Sequence, residues 1–301
     1  LDARQTRTVD AISLLAMKNA DSLDVETLQA LAQRAWPGLG VSWFEEIGST
    51  HLEAKAWLER GQTPPPFLMI ANHQTAGRGR RGNAWIAPAG TSLLMTLALL
   101  WNPEAARDQL PPALLSALAA AEALDAFLPA PASIKWPNDL QARGQKIGGV
   151  LAELARFGQS PALILSAGLN VLQPPEQLPP PGEGIAATSI RLERDAARLA
   201  PLPPDNARAT LLERFLEALR REIERPSEDA LDRLRARCST LGRRVRVERE
   251  GSAGPLLGVA ESLGADGSLW IRREDERLER CLSGHLREME ERQKSEVRNQ
   301  K

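Results

Sequence analysis

The chain has 301 residues, enough for about two domains with their own cores, and its 43% hydrophobic and 26% charged residues are ordinary for a globular protein. A net charge of −1 gives no overall pull toward nucleic acid or a membrane surface, so any basic patch acts locally. Two distant cysteines and three scattered histidines form no metal-binding pattern; no apolar run reaches the roughly 18 residues of a membrane span, and no signal-peptide pattern opens the chain, so a reducing, cytoplasmic setting is expected.

Residues 1–40 are weakly helical, with Leu14, Leu15 and Met17 followed by Leu28, Leu31 and Ala32 after the acidic Asp24 and Glu26. Part of this segment is expected to be disordered. It is too short for a winged helix-turn-helix, which needs three helices and a hairpin. A strand at 41–44 then turns through Ser49 and Thr50 into a helix at 51–60. A hydroxyl at that turn serves as an N-cap, as a hydrogen-bonding group for a small polar ligand, or as both. After the proline-rich bend 63–66, an apolar strand at 67–71 leads to Gln74 and the most basic loop of the chain.

That loop, Gly77-Arg78-Gly79-Arg80-Arg81-Gly82, places three arginines on a glycine-rich backbone. Glycine lets main-chain N–H groups approach a ligand, and arginine presents a permanently charged fork to phosphate or carboxylate oxygens. The spacing also satisfies G-x-G-x-x-G, but a dinucleotide fingerprint needs a helix opening within the loop and an acidic residue about 20 positions on. Here Asn83 to Gly90 contains Pro88 and precedes a strand at 92–100. The loop therefore reads as an anion trap for a small polyphosphate, or as a solvated basic turn.

An apolar helix is predicted at 112–127, ended by Pro129 and Pro131. A strand carrying Ile134 and Trp136 is stopped by Pro137, which leaves Asn138 and Asp139 as a turn or as groups facing a pocket. A loop at 141–145 is expected to bring Lys146, Gly148 and Gly149 before the strand 150–154, which pairs with 162–170 as a hairpin ending at Gly168 and Asn170. The proline-rich stretch 173–184 reads as a loop, 205–225 as a helix, and Ser227 as the N-cap of another helix carrying Leu231 and Leu234. Beyond Cys238 the apolar period becomes two, with Val245, Val247, Leu257, Val259, Leu263, Leu269 and Ile271 pointing inward, as in a small β-barrel of roughly fifty residues. The segment from Arg287 to Lys301 alternates in charge and reads as a frayed helix or disordered tail. His73 and His285 read as surface residues. The fold class is α+β, with a mixed, largely antiparallel sheet, flanking helices and a small C-terminal β unit.

With these blocks in order, the chain resembles the biotin protein ligases from about Trp43 to Gly284. The resemblance rests on the glycine-arginine loop followed by Trp85, on Lys135-Trp136-Pro137-Asn138-Asp139, on Lys146-Ile147-Gly148-Gly149-Val150-Leu151, and on Ala167-Gly168-Leu169-Asn170. It implies a class II synthetase-like catalytic domain at 41–237, an SH3-like domain at 238–286, an N-terminal segment at 1–40 and a tail at 287–301. It also implies that biotin and ATP form biotinyl-5′-adenylate, which a lysine of a biotin carboxyl carrier domain then attacks.

Within the resemblance, Lys146, Arg80 and Asp139 would be catalytic, and Ser49, Thr50, His51, Gln74, Arg78, Gly79, Arg80, Lys146, Gly148 and Gly168 would surround biotin. Arg78, Arg80, Arg81, Trp85, Asn138 and Asn170 would border the adenylate. Mg²⁺ is expected with ATP, with no dedicated metal ligands; a homodimer is compatible with the family, and neither membrane nor nucleic acid is an expected partner. Three features depart from the family pattern: His51 replaces the common Asn after Ser-Thr, Asn83-Ala84 replaces an Arg-containing pair, and Ser283-Gly284-His285 replaces an acidic ending. The alternatives are a lipoate-type ligase or acyltransferase of the same superfamily, a biotin-sensing repressor if a DNA-binding domain precedes Leu1, and a non-catalytic SH3-like module, which explains only the last quarter.

Overall fold

The computed structural model describes residues 24–104, 106, 109–180, 185–202, 206–224, 229–249 and 254–289. Its first helix, α1 (Val25–Ala35), starts where Asp24 accepts a hydrogen bond from the Thr27 amide at 2.8 Å and buries Leu28, Leu31 and Ala32. The expected apolar positions Leu14, Leu15 and Met17 lie outside the described residues, as do the start of the 205–225 helix, Ser227 and the tail beyond Met289.

A seven-stranded sheet forms the centre, in the order β1-β2-β3-β7-β6-β5-β4. Its strands are β1 (Gly40–Ile47), β2 (Phe67–Gln74), β3 (Ser92–Leu100), β4 (Ser133–Lys135), β5 (Asp139–Ala142), β6 (Gln145–Phe157) and β7 (Ser160–Asn170). β1 and β2 are parallel, joined by helix α2 (Thr50–Glu59), and the other neighbours are antiparallel.

Both faces of the sheet are covered, which is why β2 and β3 read as continuous apolar runs. Leu68 and Ile70 face the main core with α1, α3 (Pro112–Asp125) and α5 (Ala207–Glu224), while Phe67 and Met69 pack with Ala54 and Leu58 of α2 on the other face. Fully burying a leucine or phenylalanine contributes about 1.5–3 kcal/mol, so α2 is fixed firmly on its face despite its weak amphipathicity.

Several expectations change. The loop expected at 141–145 is reduced to the turn Arg143-Gly144, whose φ values of 48° and 79° suit a tight hairpin connection; β5 occupies the rest, and Lys146 sits on β6. A short helix α4 (Ile190–Ala196) was not foreseen, although Ser189 caps it by accepting from the Leu192 amide. The helix expected to follow a Ser227 cap is α6 (Ala230–Arg237), with Leu234 buried.

The C-terminal strands are β8 (Arg244–Glu248), β9 (Leu256–Leu263), β10 (Leu269–Arg272), β11 (Leu278–Cys281) and β12 (His285–Glu288), an antiparallel sheet in the order β11-β10-β9-β8-β12. On β9 the inward positions are Leu256, Ala260 and Leu263, whereas Leu257 and Val259 are exposed. For Leu257 and Val259, choosing the larger apolar residues selected the wrong face, because one step along a strand reverses the side chain, whereas Leu263, past an irregularity in the β9–β10 pairing, is inward as expected. Arg287 and Glu288 belong to β12, not to the tail.

Trp136 joins the two sheets. Its buried indole donates from Nε1 to the Gly267 carbonyl at 3.0 Å, and its amide donates to Thr240 Oγ1 at 3.0 Å. One apolar core thus runs from α1 to Leu286 and carries the rim of the second sheet to the strand ends of the first.

Candidate active site

A cavity of about 460 Å³, within the usual range for small-molecule sites, opens where the glycine-arginine loop, α2, β5, β6 and β7 meet. Of the residues that the sequence assigns to chemistry, Ser49, Thr50, His51, Gln74, Arg78, Gly79, Arg80, Arg81, Trp85, Asn138, Asp139, Lys146, Gly168 and Asn170 all line it.

Gly148 does not. A Cβ there would lie 2.5 Å from Leu169 Cδ2 and 2.8 Å from the Gly168 carbonyl, so this glycine serves close packing between β6 and β7; Gly149 borders the cavity instead. Lys135, which the sequence assigned no role, also lines the wall and is buried. His285, expected at the surface, borders the cavity together with Gly284 and Leu286.

The neutral part of the wall comes from α2 and the strands beneath it. Ser49 occupies the N-cap position of α2 yet makes no capping hydrogen bond, and its buried Oγ has no partner. An unsatisfied buried hydroxyl costs about 1–3 kcal/mol, and this one lies on the cavity wall. Gln74 Oε1 accepts from the Thr50 amide at 2.8 Å and from Thr50 Oγ1 at 3.0 Å. Thr96 Oγ1 bridges Thr50 Oγ1 and Ser166 Oγ, both at 2.8 Å. His51 continues the chain, with Nδ1 2.9 Å from Ser166 Oγ and Nε2 2.9 Å from Glu153 Oε2, and Lys55 closes it on Glu153 Oε1 at 2.6 Å.

The sequence reading missed Glu153, Lys55, Thr96 and Ser166. The one available signal, for Thr96 and Ser166, was a polar residue inside an otherwise apolar strand.

The charged part begins in the loop. A short 3₁₀ turn at Arg80–Gly82 contains Arg81 in the left-handed region at φ 55°, followed by Gly82 at φ 77°, and the loop is stitched by Gly79 N–H to the Asn83 carbonyl and Trp85 N–H to the Gly77 carbonyl. Gly77 is required by proximity, since a Cβ would meet the Trp85 carbonyl at 2.5 Å. Arg80 turns inward and donates to Asn138 Oδ1 at 3.1 Å; burial holds its guanidinium below the usual arginine range, the Arg81 charge adds to this and Asp139 opposes it. Arg81 reaches across to the Glu248 carbonyl of β8 at 3.2 Å.

Lys146 Nζ lies 2.8 Å from Asp139 Oδ1, so the two residues form one ion pair on the wall. Asn138 also donates to the Val150 carbonyl at 3.1 Å, which fixes its side chain beside Arg80. Trp85 stacks over Gly168, where a Cβ would fall 2.6 Å from Cε2, and its indole N–H has no partner. Asn170 lines the cavity and is also tied to its neighbours. Its Oδ1 accepts from Gln173 at 2.9 Å and its Nδ2 donates to the Thr188 carbonyl at 3.0 Å, so the amide braces the wall.

No group of three or more potential metal-ligating side chains occurs among the described residues. Among the described residues, Asp139 is the one carboxylate lining the cavity, and it is paired with Lys146.

Comparison with known proteins resolves the affiliation. The sequence model of the biotin/lipoate A/B protein ligase family matches residues 43–170. Over 242 residues the chain is 35% identical to the biotin–[acetyl-CoA-carboxylase] ligase of Mycobacterium tuberculosis, covering 78% of this chain and 85% of that one. The chain belongs to the biotin protein ligases. Another member, the bifunctional ligase/repressor of Bacillus subtilis, is 32% identical over 153 residues, which cover 50% of this chain and 46% of that protein. Among solved ligases, that of Aquifex aeolicus in complex with biotin and ATP superposes with a TM-score of 0.65 at 26% identity, covering 83% of this chain and 99% of that one. No helix among the described residues is long and apolar enough to cross a membrane.

Proposed function

We infer that the chain is an ATP-dependent biotin protein ligase that forms biotinyl-5′-adenylate and transfers biotin to a lysine of a biotin carboxyl carrier domain. The observation that carries this reading is the pairing, in one cavity, of a wall of neutral hydrogen-bonding groups with a wall of cations. A cyclic urea has one carbonyl and two N–H groups. Thr50 and Ser166 offer lone pairs to the N–H groups, and Ser49 has a hydroxyl proton for the carbonyl. A dithiolane ring such as that of lipoate lacks these groups and would leave the wall unpaired, a large penalty against it.

In the first step the biotin carboxylate attacks the α-phosphorus of ATP and pyrophosphate leaves. Two anions must approach, and Arg78, Arg80, Arg81 and Lys146 supply the opposing charge where it develops. Lys146 exchanges Asp139 for the carboxylate and α-phosphate oxygens. Asp139 then accepts the proton of the incoming carrier ammonium, whose free amine attacks the carbonyl carbon as AMP departs. Mg²⁺ enters as part of the ATP substrate, held by phosphate oxygens.

Trp85 against Gly168 provides an aromatic surface for the adenine, and its unpaired N–H is a donor for the ligand. The C-terminal sheet, which we assign as the SH3-like unit, brings Gly284 and His285 to the cavity rim and grips the loop through Arg81, a position suited to meeting the carrier domain.

The test is to incubate the protein with ATP, Mg²⁺, an apo carrier domain and radiolabelled biotin or lipoate. Label from biotin should reach the carrier lysine. Transfer of lipoate in its place would contradict the reading.

A further inference from the structure

His51 is buried on the cavity wall, and neither the adenylation step nor the transfer step uses it. Its position becomes informative when the protons of the hydrogen-bond chain are counted. The chain has five links: Gln74 to Thr50, Thr50 to Thr96, Thr96 to Ser166, Ser166 to His51, and His51 to Glu153. Both ends are acceptors. Gln74 must present Oε1, because the Thr50 amide donates to the same atom, and this fixes which way the amide points.

At the other end, burial pushes the Glu153 carboxyl up, but hydrogen bonds from Lys55 and His51 outweigh it and leave the carboxyl below its usual range. An ionised Glu153 has no proton to give. Each of the three hydroxyls supplies one hydrogen. A neutral imidazole supplies one more, which makes four for five links; an imidazolium supplies two and closes the chain. The direction is then fixed: Thr50 donates to Gln74, Thr96 to Thr50, Ser166 to Thr96, His51 Nδ1 to Ser166 and His51 Nε2 to Glu153.

We propose that His51 is a positioning residue for the biotin ring, and that as an imidazolium it orders Ser166, Thr96 and Thr50 so that the wall offers lone pairs to the two ureido N–H groups. This rests on the reading of the cavity as a biotin site. Without the second proton, one link brings two lone pairs together at about 3 Å, and Thr50 and Gln74 or His51 and Glu153 must separate. Ring binding weakens while the phosphate-facing groups are untouched. Of the groups hydrogen-bonded to His51 or to its partners, only Glu153 from β6 and Lys55 from α2 are charged; β2, β3 and β7 contribute Gln74, Thr96 and Ser166, which are neutral. Glu59 acts on Lys55 through its charge alone.

The sign follows directly. Tight biotin binding belongs to the imidazolium form, so raising the pH weakens it. Glu153→Gln provides a specific rescue. A glutamine amide can donate to Nε2 of a neutral His51, supplying the fifth hydrogen from the other end.

The experiment measures KM for biotin and kcat for transfer to a carrier domain from pH 6 to 9, for wild type, His51→Asn and Glu153→Gln. For wild type, KM should rise about tenfold across one titration step with kcat following the pH course shared by all three proteins. The Glu153→Gln KM should stay low and flat, and that of His51→Asn flat. Histidine-selective NMR gives an independent view: with three histidines in the chain, the His51 signal is assigned by its loss in the variant and should titrate together with KM. Transfer activity with a pH-independent wild-type KM, or a Glu153→Gln KM that still rises with pH, would overturn the role of His51 and leave the ligase reading standing. Absence of transfer at every pH would overturn that reading and this inference with it.

Discussion

The wall built by Thr50, Thr96 and Ser166 and the loop Gly77 to Gly82 border the same cavity, yet they hold their functional groups by different means. In the wall, the buried Thr50 and Thr96 and the half-buried Ser166 bond one another at 2.8 Å where α2 meets β3 and β7, so the positions of donors and acceptors are set before any ligand arrives. In the loop, Arg78 and Arg81 are exposed, and the backbone follows a left-handed turn through Arg81 and Gly82. A rigid neutral wall discriminates by shape and hydrogen-bond pattern, whereas an exposed cationic loop responds to total charge. On the proposed reading, the difference makes recognition of the ring and handling of the phosphates separable tasks within one cavity.

The strongest way to break this comparison is through Lys146, which the proposed mechanism sets against the reacting carboxylate. Lys146→Ala should reduce biotin-dependent pyrophosphate exchange by about 10²–10³-fold, the scale of losing one preorganised charge donor. An unchanged exchange rate would remove Lys146 from the charged wall.

Gly168→Ala sharpens the boundary between the walls, because the new methyl would enter the Trp85 ring at 2.6 and 2.9 Å. Overpacking of this kind costs about 1–3 kcal/mol, so KM for ATP should rise roughly thirtyfold with a much smaller change for biotin. Equal increases for both substrates would merge the two walls into one.

Arg80→Gly removes the bond to Asn138 and the half-buried charge beside it. The adenylate should then escape and label bystander lysines about tenfold more than with wild type, measured as biotin on an unrelated protein. Bystander labelling equal to wild type would assign Arg80 a packing role.

The smallest effect is ionic. Raising the salt from about 0.05 to 0.5 M should increase KM for ATP by about twofold to threefold, through screening of the exposed arginines, and leave biotin affinity less affected.

Much of this architecture was legible in the sequence. The loop, Asn138-Asp139, Lys146 and Gly168 stand at strand ends punctuated by glycine and proline, where local chemistry marks a site. The strand β3 and helix α3 were legible because long apolar runs admit few alternatives. The hydroxyl chain was not. Thr96 and Ser166 each read as one polar residue inside an apolar strand, and His51 meets Ser166 across 115 positions and Glu153 across 102. Only the sheet order brings them together. The register of β9 failed for a related reason, since Leu257 and Val259 carry more apolar surface than Gly258 and Ala260 yet face outward, and the inward position at Gly258 has no room for a side chain above the Arg272 carbonyl.

The separation of tasks is tested most directly by calorimetric titration of biotin into wild type, Thr50→Val and Arg81→Ala, with KM for ATP measured on the same proteins. Thr50→Val should weaken biotin binding about tenfold and leave KM for ATP close to wild type. Arg81→Ala should do the reverse. Loss of biotin affinity in Arg81→Ala equal to that in Thr50→Val would contradict the division of the cavity into a ring wall and a phosphate loop.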